Sequence, residues 1–406
     1  MSKTIVFKIW KFPELSETFV VNQIVIAKKL GYRVKVLVEE VQDIQGNANT
    51  AIFDRYEIEK DIIKEDYKIP KKKFSRWVKG GMLFLRNIDK WKQFRKFSKL
   101  ALKRDTTLIY QFDFYRRFKN ADVFHIQFGT NKHPFDLLKI CGLLEGELVV
   151  SFHGHDLFFP INNRIHNDGY YNHLINASKY LIANTVFLKE KLLQINAPHE
   201  KIKVIPVTID INEFPFPEKK KSAKTIKLVT VGRLDKLKGQ RYGIEAVKIL
   251  LAKGYDVRYI LAGAGNEMSA LREQVKKLEI EEVVSFKGAI NPAEVVGLLQ
   301  DADIFLMTSV KNAKGEEESQ GLVVAEAQAC GLPVVAFRSG GVPYTMLENK
   351  SGILCEPRNA ECMAASIEKL ILDKTYRKEM GARGRKFILE NFSEKSVKEK
   401  WKFIYG

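Results

Sequence analysis

Residues 318–341 read ESQGLVVAEAQACGLPVVAFRSGG. Glu318 and Glu326 stand eight positions apart, and Gly321 thins the backbone between them. The spacing predicts a short helix that begins after Glu318 and carries Glu326 about two turns along. Gly331 and Pro333 stop that helix, and the apolar run after them reads as a strand. Upstream, DIFLMTS (303–309) reads as another strand. Together these form a strand–loop–helix–strand unit of a parallel sheet, with its acids at the carboxyl end of the first strand. In open α/β sheets that edge is where ligands bind. Ionised carboxylates only accept hydrogen bonds, so they suit the hydroxyls of a sugar or a ribose. The plain alternative is a solvated acidic loop, Glu316, Glu317 and Glu318, beside an ordinary helix.

A second constellation, VGRLDKLKG (231–239), follows the apolar run IKLVTVG (226–232). Arg233 and Lys238 lie in the loop, and a helix is expected from about Tyr242. Two cations in the first strand-to-helix loop of a Rossmann-like half suit phosphate oxygens, Arg as a fork and Lys as a point charge. Beside the two glutamates they supply both ends of a nucleotide sugar: cations for a diphosphate, carboxylates for hydroxyls. Gly263 and Gly265 in LAGAGN have the look of a phosphate loop, although a tight turn at a strand end explains them equally well.

The chain has 406 residues, enough for two domains with full cores. Strand-like and helix-like runs alternate twice over. The first series contains KTIVFKIW, RVKVLVEE, ADVFHIQF, GELVVSFHG and KYLIANT. The second opens at TIKLVTVG, after a proline- and lysine-rich stretch, EFPFPEKKKSAKTI (213–226). This alternation predicts two doubly wound parallel-sheet α/β domains facing across a cleft, with boundaries 1–212 and 213–388, and then a last helix, 389–406. Four scattered cysteines read as buried or reduced thiols of a cytoplasmic protein. No His, Cys and acid cluster has metal-ligand spacing, so no metal or resident cofactor is expected. No apolar run reaches the length of a membrane span.

Net charge is +18, and it is unevenly placed. Segment 68–104 holds fourteen Lys or Arg against one acid, Asp89, interleaved with Phe74, Trp77, Phe84, Trp91, Phe94 and Phe97. This mixture favours an anionic membrane surface, where each basic residue contributes roughly 1 kcal/mol. The alternative is a helix pair with a solvated basic face. No nucleic-acid recognition module accompanies the patch, so nucleic acid is not the expected partner.

These motifs resemble retaining glycosyltransferases of family 4, with the GT-B fold, over nearly the whole chain. ESQGLVVAE looks like the family's paired-glutamate motif, and GRLDKLKG like its diphosphate-binding loop. KIKVIPVTIDINEF is similar to its hinge-proximal segment. WKFPELSETFVVNQI and DVFHIQFG are similar to a bacterial subgroup that assembles exopolysaccharide, of colanic-acid and amylovoran type. The resemblance implies a metal-independent hexosyltransferase that uses a nucleoside-diphosphate sugar. Arg233 and Lys238 would bind the diphosphate, Glu326 the ribose and Glu318 the donor sugar. Ser319, Gly321, Leu322 and Gly263 would line the donor. His153, in SFHGHD, matches the family's active-site histidine; His155 or Asp156 could serve instead. Amides around Ser339, Gly340 and Gly341 could complete the phosphate cradle. The last helix, 389–406, would pack back on the first domain, as it does in similar enzymes.

Towards the acceptor the implied residues are Ser16, a natural helix cap, with Glu17, Thr18, His125 and Asp156. His125 reads better as a residue behind the site. The acceptor would be a glycan or a polyprenyl-diphosphate-linked intermediate at the inner membrane face. Gln127 stands where related enzymes commonly have His, and Tyr344 where many have Glu, which leaves acceptor choice open. Two other classes fit the same plan: a nucleotide-sugar epimerase, and a non-catalytic nucleotide-sugar or nucleic-acid binder. A dehydrogenase is disfavoured, because no GxGxxG with a downstream acid is present.

Overall fold

The computed structural model describes residues 2–14, 17–43, 50–101, 107–216 and 225–406. Ser16, expected to cap a helix, lies outside them.

Two compact units form. In the first, the strands are β1 (Thr4–Phe12), β2 (Arg33–Val41), β3 (Ile62–Lys64), β4 (Val123–Gln127), β5 (Glu147–Phe152), β6 (Tyr180–Ala183) and β7 (Ile202–Val204). They make one sheet in the order β3-β2-β1-β4-β5-β6-β7. In the second, β8 (Ile226–Val231), β9 (Val257–Ala262), β10 (Val284–Gly288), β11 (Ile304–Met307), β12 (Val334–Phe337) and β13 (Gly352–Cys355) take the order β10-β9-β8-β11-β12-β13. Every pairing in both sheets is parallel. Both are doubly wound, as the alternation predicts. The strand order reverses between β1 and β4 in one sheet and between β8 and β11 in the other, and such switch points open a crevice beyond the strand ends.

The apolar runs become strands because both sheet faces are covered. In the second unit, Ile226, Leu228, Ile304, Leu306, Val335 and Phe337 point into one core. Their neighbours Val229, Phe305, Met307, Val334 and Ala336 point into the other. Full burial of one such large side chain contributes about 1.5–3 kcal/mol.

The expected boundary at 212/213 lies downstream of the observed break in packing, which separates Val204 from Ile205. The cause is that Ile209 and Phe214 are buried in the second unit's core and Ile209 N–H donates to Phe392 O at 3.1 Å. Of the C-terminal segment, Lys398–Gly406 packs within the first unit, while Phe392 belongs to the second core. The four cysteines form no disulfide.

A lysine inside the first sheet breaks the apolar rule. Lys8, in the middle of β1, is fully buried. Its ammonium lies 2.7 Å from the buried carboxylate of Glu65 and 2.9 Å from that of Glu39. Deleting one partner of a buried pair strands the other charge, at a cost of about 3–5 kcal/mol. Lys8→Ala is therefore expected to lower the unfolding free energy of the first unit by about that amount, and its urea midpoint in proportion. A midpoint unchanged in urea unfolding would show that Glu65 is solvated without Lys8.

Candidate functional site

In the second unit, the loops that follow β8 and β11 meet at the switch point, because these strands are neighbours in register (Ile304 with Leu228, Phe305 with Val229). The loop after β8 is pinned to the end of β11. Val310 N–H donates to Leu237 O at 2.8 Å, and Thr308 Oγ1 donates to Lys238 O at 2.7 Å. Asp235 Oδ1 accepts from Lys238 N–H at 3.0 Å and fixes the turn. Gly263 presses on this loop from β9: at φ +143° its added Cβ would sit 1.9 Å from Gly232 O. That contact is a structural reason for glycine there.

Lys238 and Glu318, eighty positions apart, form a direct ion pair with both side chains largely buried. Ser309 Oγ lies 3.4 Å from the same carboxylate oxygen. The strand after the paired-glutamate helix brings Gly340 against Glu318. At φ +52°, a Cβ on Gly340 would meet Glu318 O at 2.1 Å, and the next amide, Gly341 N–H, donates to that carbonyl at 2.7 Å. Gly340 N–H itself donates to Glu317 Oε2 at 3.0 Å. Beside it, Ser339 Oγ is buried without a hydrogen-bond partner among the described residues. Two donors expected for a diphosphate, Lys238 and the Gly340 amide, are thus occupied by carboxylates of one acidic loop.

Arg233 behaves differently. Its side chain is 80% exposed, and among the described residues it pairs with Asp235, at 3.6 Å. Glu326 lies within the helix Leu322–Ala329, which Gly321 caps. Its carboxyl is pushed up to about 7 by burial and, secondarily, by Glu213. Among the described residues no donor satisfies it. Leu322 opens this helix partly buried, and Ser319 gives its carbonyl to Thr185 Oγ1 at 2.9 Å.

The polar groups of the first unit centre on β4 and β5. His153 follows β5, with its ring between Phe19 and Phe128 at 4.6 Å from each centroid. Its Nε2–H donates to Gln127 Oε1 at 2.9 Å, which leaves the Nδ1 lone pair buried and unpartnered. Burial holds its pKa down, to about 3, so the ring is neutral near pH 7. Behind it runs a chain: Gln127 Nε2 donates to Gln23 Oε1 at 2.7 Å, and Gln23 Nε2 to Tyr405 OH at 3.3 Å. Tyr405 OH bonds His125 Nδ1 at 2.9 Å, and His125 Nε2 bonds Ser151 Oγ at 2.8 Å.

His125 is fully buried with both ring nitrogens engaged, which fits a residue behind the site better than one at the acceptor. Its place is behind His153. Asp156 is a clamp rather than a ligand group. Its buried carboxylate accepts from the amides of Gly129 at 2.8 Å, His153 at 3.1 Å and Gly154 at 2.9 Å. Those bonds satisfy it and shape the turn that presents His153. His155 is exposed. Glu17 precedes the helix Thr18–Lys29, and burial with the nearby Glu14 pushes its carboxyl up to about 7; Thr18 is exposed.

Sequence reasoning missed Glu317, Asp235, Glu213, Gln23 and Tyr405. Asp235 alone carried a local signal, an acid three residues before the lysine whose amide it accepts.

Two doubly wound parallel sheets, the second with a lysine–glutamate pair at its switch point, define the GT-B glycosyltransferase fold. Residues 211–387 match the family described as "Glycosyl transferases group 1", so this part of the chain is a glycosyltransferase group 1 domain. The chain is similar to the amylovoran biosynthesis glycosyltransferase AmsK of Erwinia amylovora, with 28% identity over 372 residues, covering 89% of this chain and 88% of AmsK. Its fold is similar to that of Alr3699/HepE of Anabaena, solved in complex with UDP, at a TM-score of 0.73 and 18% identity over 99% of both chains. TarM of S. aureus, crystallised as the G117R mutant with UDP among its ligands, aligns at 0.66 and 14% identity over 100% of both chains.

The raised Glu326 carboxyl has a measurable consequence. A carboxyl that titrates at about 7 folded and 4.5 unfolded holds its proton more tightly when folded. Stability from this group is therefore lost as pH rises through that window. Glu326→Gln, which copies the protonated form, is expected to melt with wild type below the window. Above it the variant should gain on the order of 1–3 kcal/mol over wild type. Thermal melts at a series of pH values check this; a difference that does not vary with pH would refute it.

Proposed function

We propose that the chain is a retaining, metal-independent glycosyltransferase of cell-surface polysaccharide synthesis. It moves a sugar from a nucleoside diphosphate, uridine preferred and guanosine next, to a glycan or a polyprenyl-diphosphate-linked acceptor. It works in the cytoplasm at the inner membrane face. The observation that carries this reading is the junction of Lys238, Glu318 and the Gly340 amide at the β8/β11 switch point, within the group 1 domain. The relatives support it: AmsK is named for amylovoran biosynthesis, and Alr3699/HepE was crystallised with UDP.

In this reading the diphosphate takes the Lys238 ammonium, the Gly340 amide and the unclaimed Ser339 hydroxyl, and displaces the carboxylates now there. Exposed Arg233 closes on the same oxygens. Glu318, released from Lys238, accepts from sugar hydroxyls, and Glu326 accepts from the ribose. The bond between the anomeric carbon and the diphosphate oxygen breaks, and the electron pair leaves with the diphosphate. An acceptor hydroxyl attacks the same face and passes its proton to the departing phosphate. Lys238 and the amide stabilise the charge that develops on the leaving group, which is where fixed donors act most strongly. His153 contributes no charge. Its ring, packed between Phe19 and Phe128, borders the place of the transferred sugar.

Lys238→Ala and Glu318→Ala are each expected to lower kcat by about 10²–10³ in enzyme that is still folded at the assay temperature, with a lower melting temperature because each leaves a largely buried partner unpaired. Arg233→Ala should weaken binding of uridine diphosphate in calorimetry. Full turnover by Lys238→Ala, or no binding of uridine or guanosine diphosphate by wild type, would sink the reading.

A further inference from the structure

The helix Lys73–Arg86 buries none of its residues. Its large apolar side chains nevertheless recur at helical spacing: Phe74, Trp77, Val78, Met82 and Leu85, with Ile88 one turn on. Their exposures are 76, 74, 36, 64, 67 and 61%. On an ordinary surface helix such a stripe faces the core. Here it faces away from it.

Polar bonds hold the helix in that orientation. Arg86 grips the buried Asp113 through both carboxylate oxygens, with Nε at 2.8 Å from Oδ1. Asn87 Nδ2 adds a bond to Oδ1 at 2.8 Å. Tyr110 OH donates to Arg76 O at 2.6 Å. The outward stripe is therefore built, because rolling the helix to bury it would break the Asp113 clamp and leave a buried acid unpaired.

Charge identifies the occupant. Lys71, Lys72 and Lys73 open the helix, all exposed, and the next helix, Trp91–Leu100, exposes Lys92, Arg95, Lys96 and Lys99. The one acid of the segment, Asp89, is paired with Arg116 at 2.9 Å. A second copy of the chain would bring the same positive field against itself. A nucleic acid would match the charge and leave the stripe wet. An anionic lipid leaflet satisfies both, with apolar side chains at the acyl boundary and lysines among the headgroups.

We infer that the helix Lys73–Arg86 is an interfacial membrane anchor that inserts Phe74, Trp77, Met82, Leu85 and Ile88 into an anionic leaflet. This deepens the membrane part of the proposal above and rests on it for the identity of the leaflet.

The test is flotation of the full chain with vesicles of phosphatidylethanolamine and phosphatidylglycerol, and with phosphatidylcholine alone. Wild type should float with the anionic vesicles only. The triple variant Trp77→Ser/Met82→Ser/Leu85→Ser should bind at least about tenfold more weakly at low and high salt, since it removes inserted area. Lys71→Glu/Lys72→Glu/Lys73→Glu should lose binding chiefly at low salt. Brominated lipids should quench wild-type tryptophan fluorescence and quench Trp77→Phe much less, a readout independent of the triple variant's folding. Unaltered flotation of the triple variant, absent quenching, or failure of wild type to float would overturn the inference. So would sedimentation that finds a wild-type dimer and a monomeric triple variant, because a second copy would then cover the stripe. Binding of uridine diphosphate by the triple variant should match wild type, and its loss in wild type would count against the transferase reading alone.

Discussion

A parallel sheet covered on both faces leaves polar groups only its ends, and both units are organised by that constraint. Along β8, β11 and β12, successive residues enter opposite cores, so an unpartnered polar side chain has no tolerable position within the strands. Thr230 is accepted because its hydroxyl bonds both Tyr259 OH at 2.7 Å and Leu306 O at 2.8 Å. The chemistry is driven to the loops after the strands. It concentrates after β8 and β11, because there the flanking helices diverge to opposite faces and the loop ends are open.

The first unit departs from this rule in an informative way. His125 and Gln127 lie on β4 and Ser151 on β5, all buried. Each is acceptable only because the others, with Gln23 and Tyr405, complete its hydrogen bonds. A buried network is either wholly satisfied or costly. The Tyr405 hydroxyl, from the last residues of the chain, is the member that closes it, which gives a physical reason for Lys398–Gly406 to pack in the first unit. The network's outward end is Gln127 Oε1, and it sets which nitrogen of His153 keeps its proton. Glutamine at 127 thus leaves a neutral ring whose other nitrogen, Nδ1, is buried without a partner among the described residues.

Much of this was legible in the residues, and the limits have physical causes. Doubly wound sheets follow from the alternation of apolar runs and amphipathic stretches, which short-range periodicity encodes. The convergence of Lys238 and Glu318 on one site was legible too, because both follow strands at the same edge of a doubly wound sheet; their direct pairing was not, because β8 and β11 are neighbours only in the sheet. The bond from Gly340 to Glu317 was not: it depends on the path of a loop, which no periodicity records. The stripe Phe74–Ile88 was visible, but its direction was not. An amphipathic helix has the same pattern whether its apolar face turns inward or outward, and only the Arg86–Asp113 clamp decides. The interior Lys8 looked like an ordinary strand residue, because its partners Glu39 and Glu65 come from other strands and a following turn.

The acidic loop explains why a cationic site can persist without its ligand. A lysine and an oriented amide left facing a half-buried space would repel each other's partial charges and pay for lost hydration. Glu318 and Glu317 supply the missing anions. The same contact sets a threshold for entry. A ligand with one weak anionic group gains little by displacing a carboxylate already bonded there. A diphosphate brings more charge and more acceptor oxygens, and it can satisfy Lys238, Gly340 and the idle Ser339 hydroxyl together. On the proposed reading, selection for a diphosphate over a monophosphate would follow from competition within the loop, without any group that reads the second phosphate by itself.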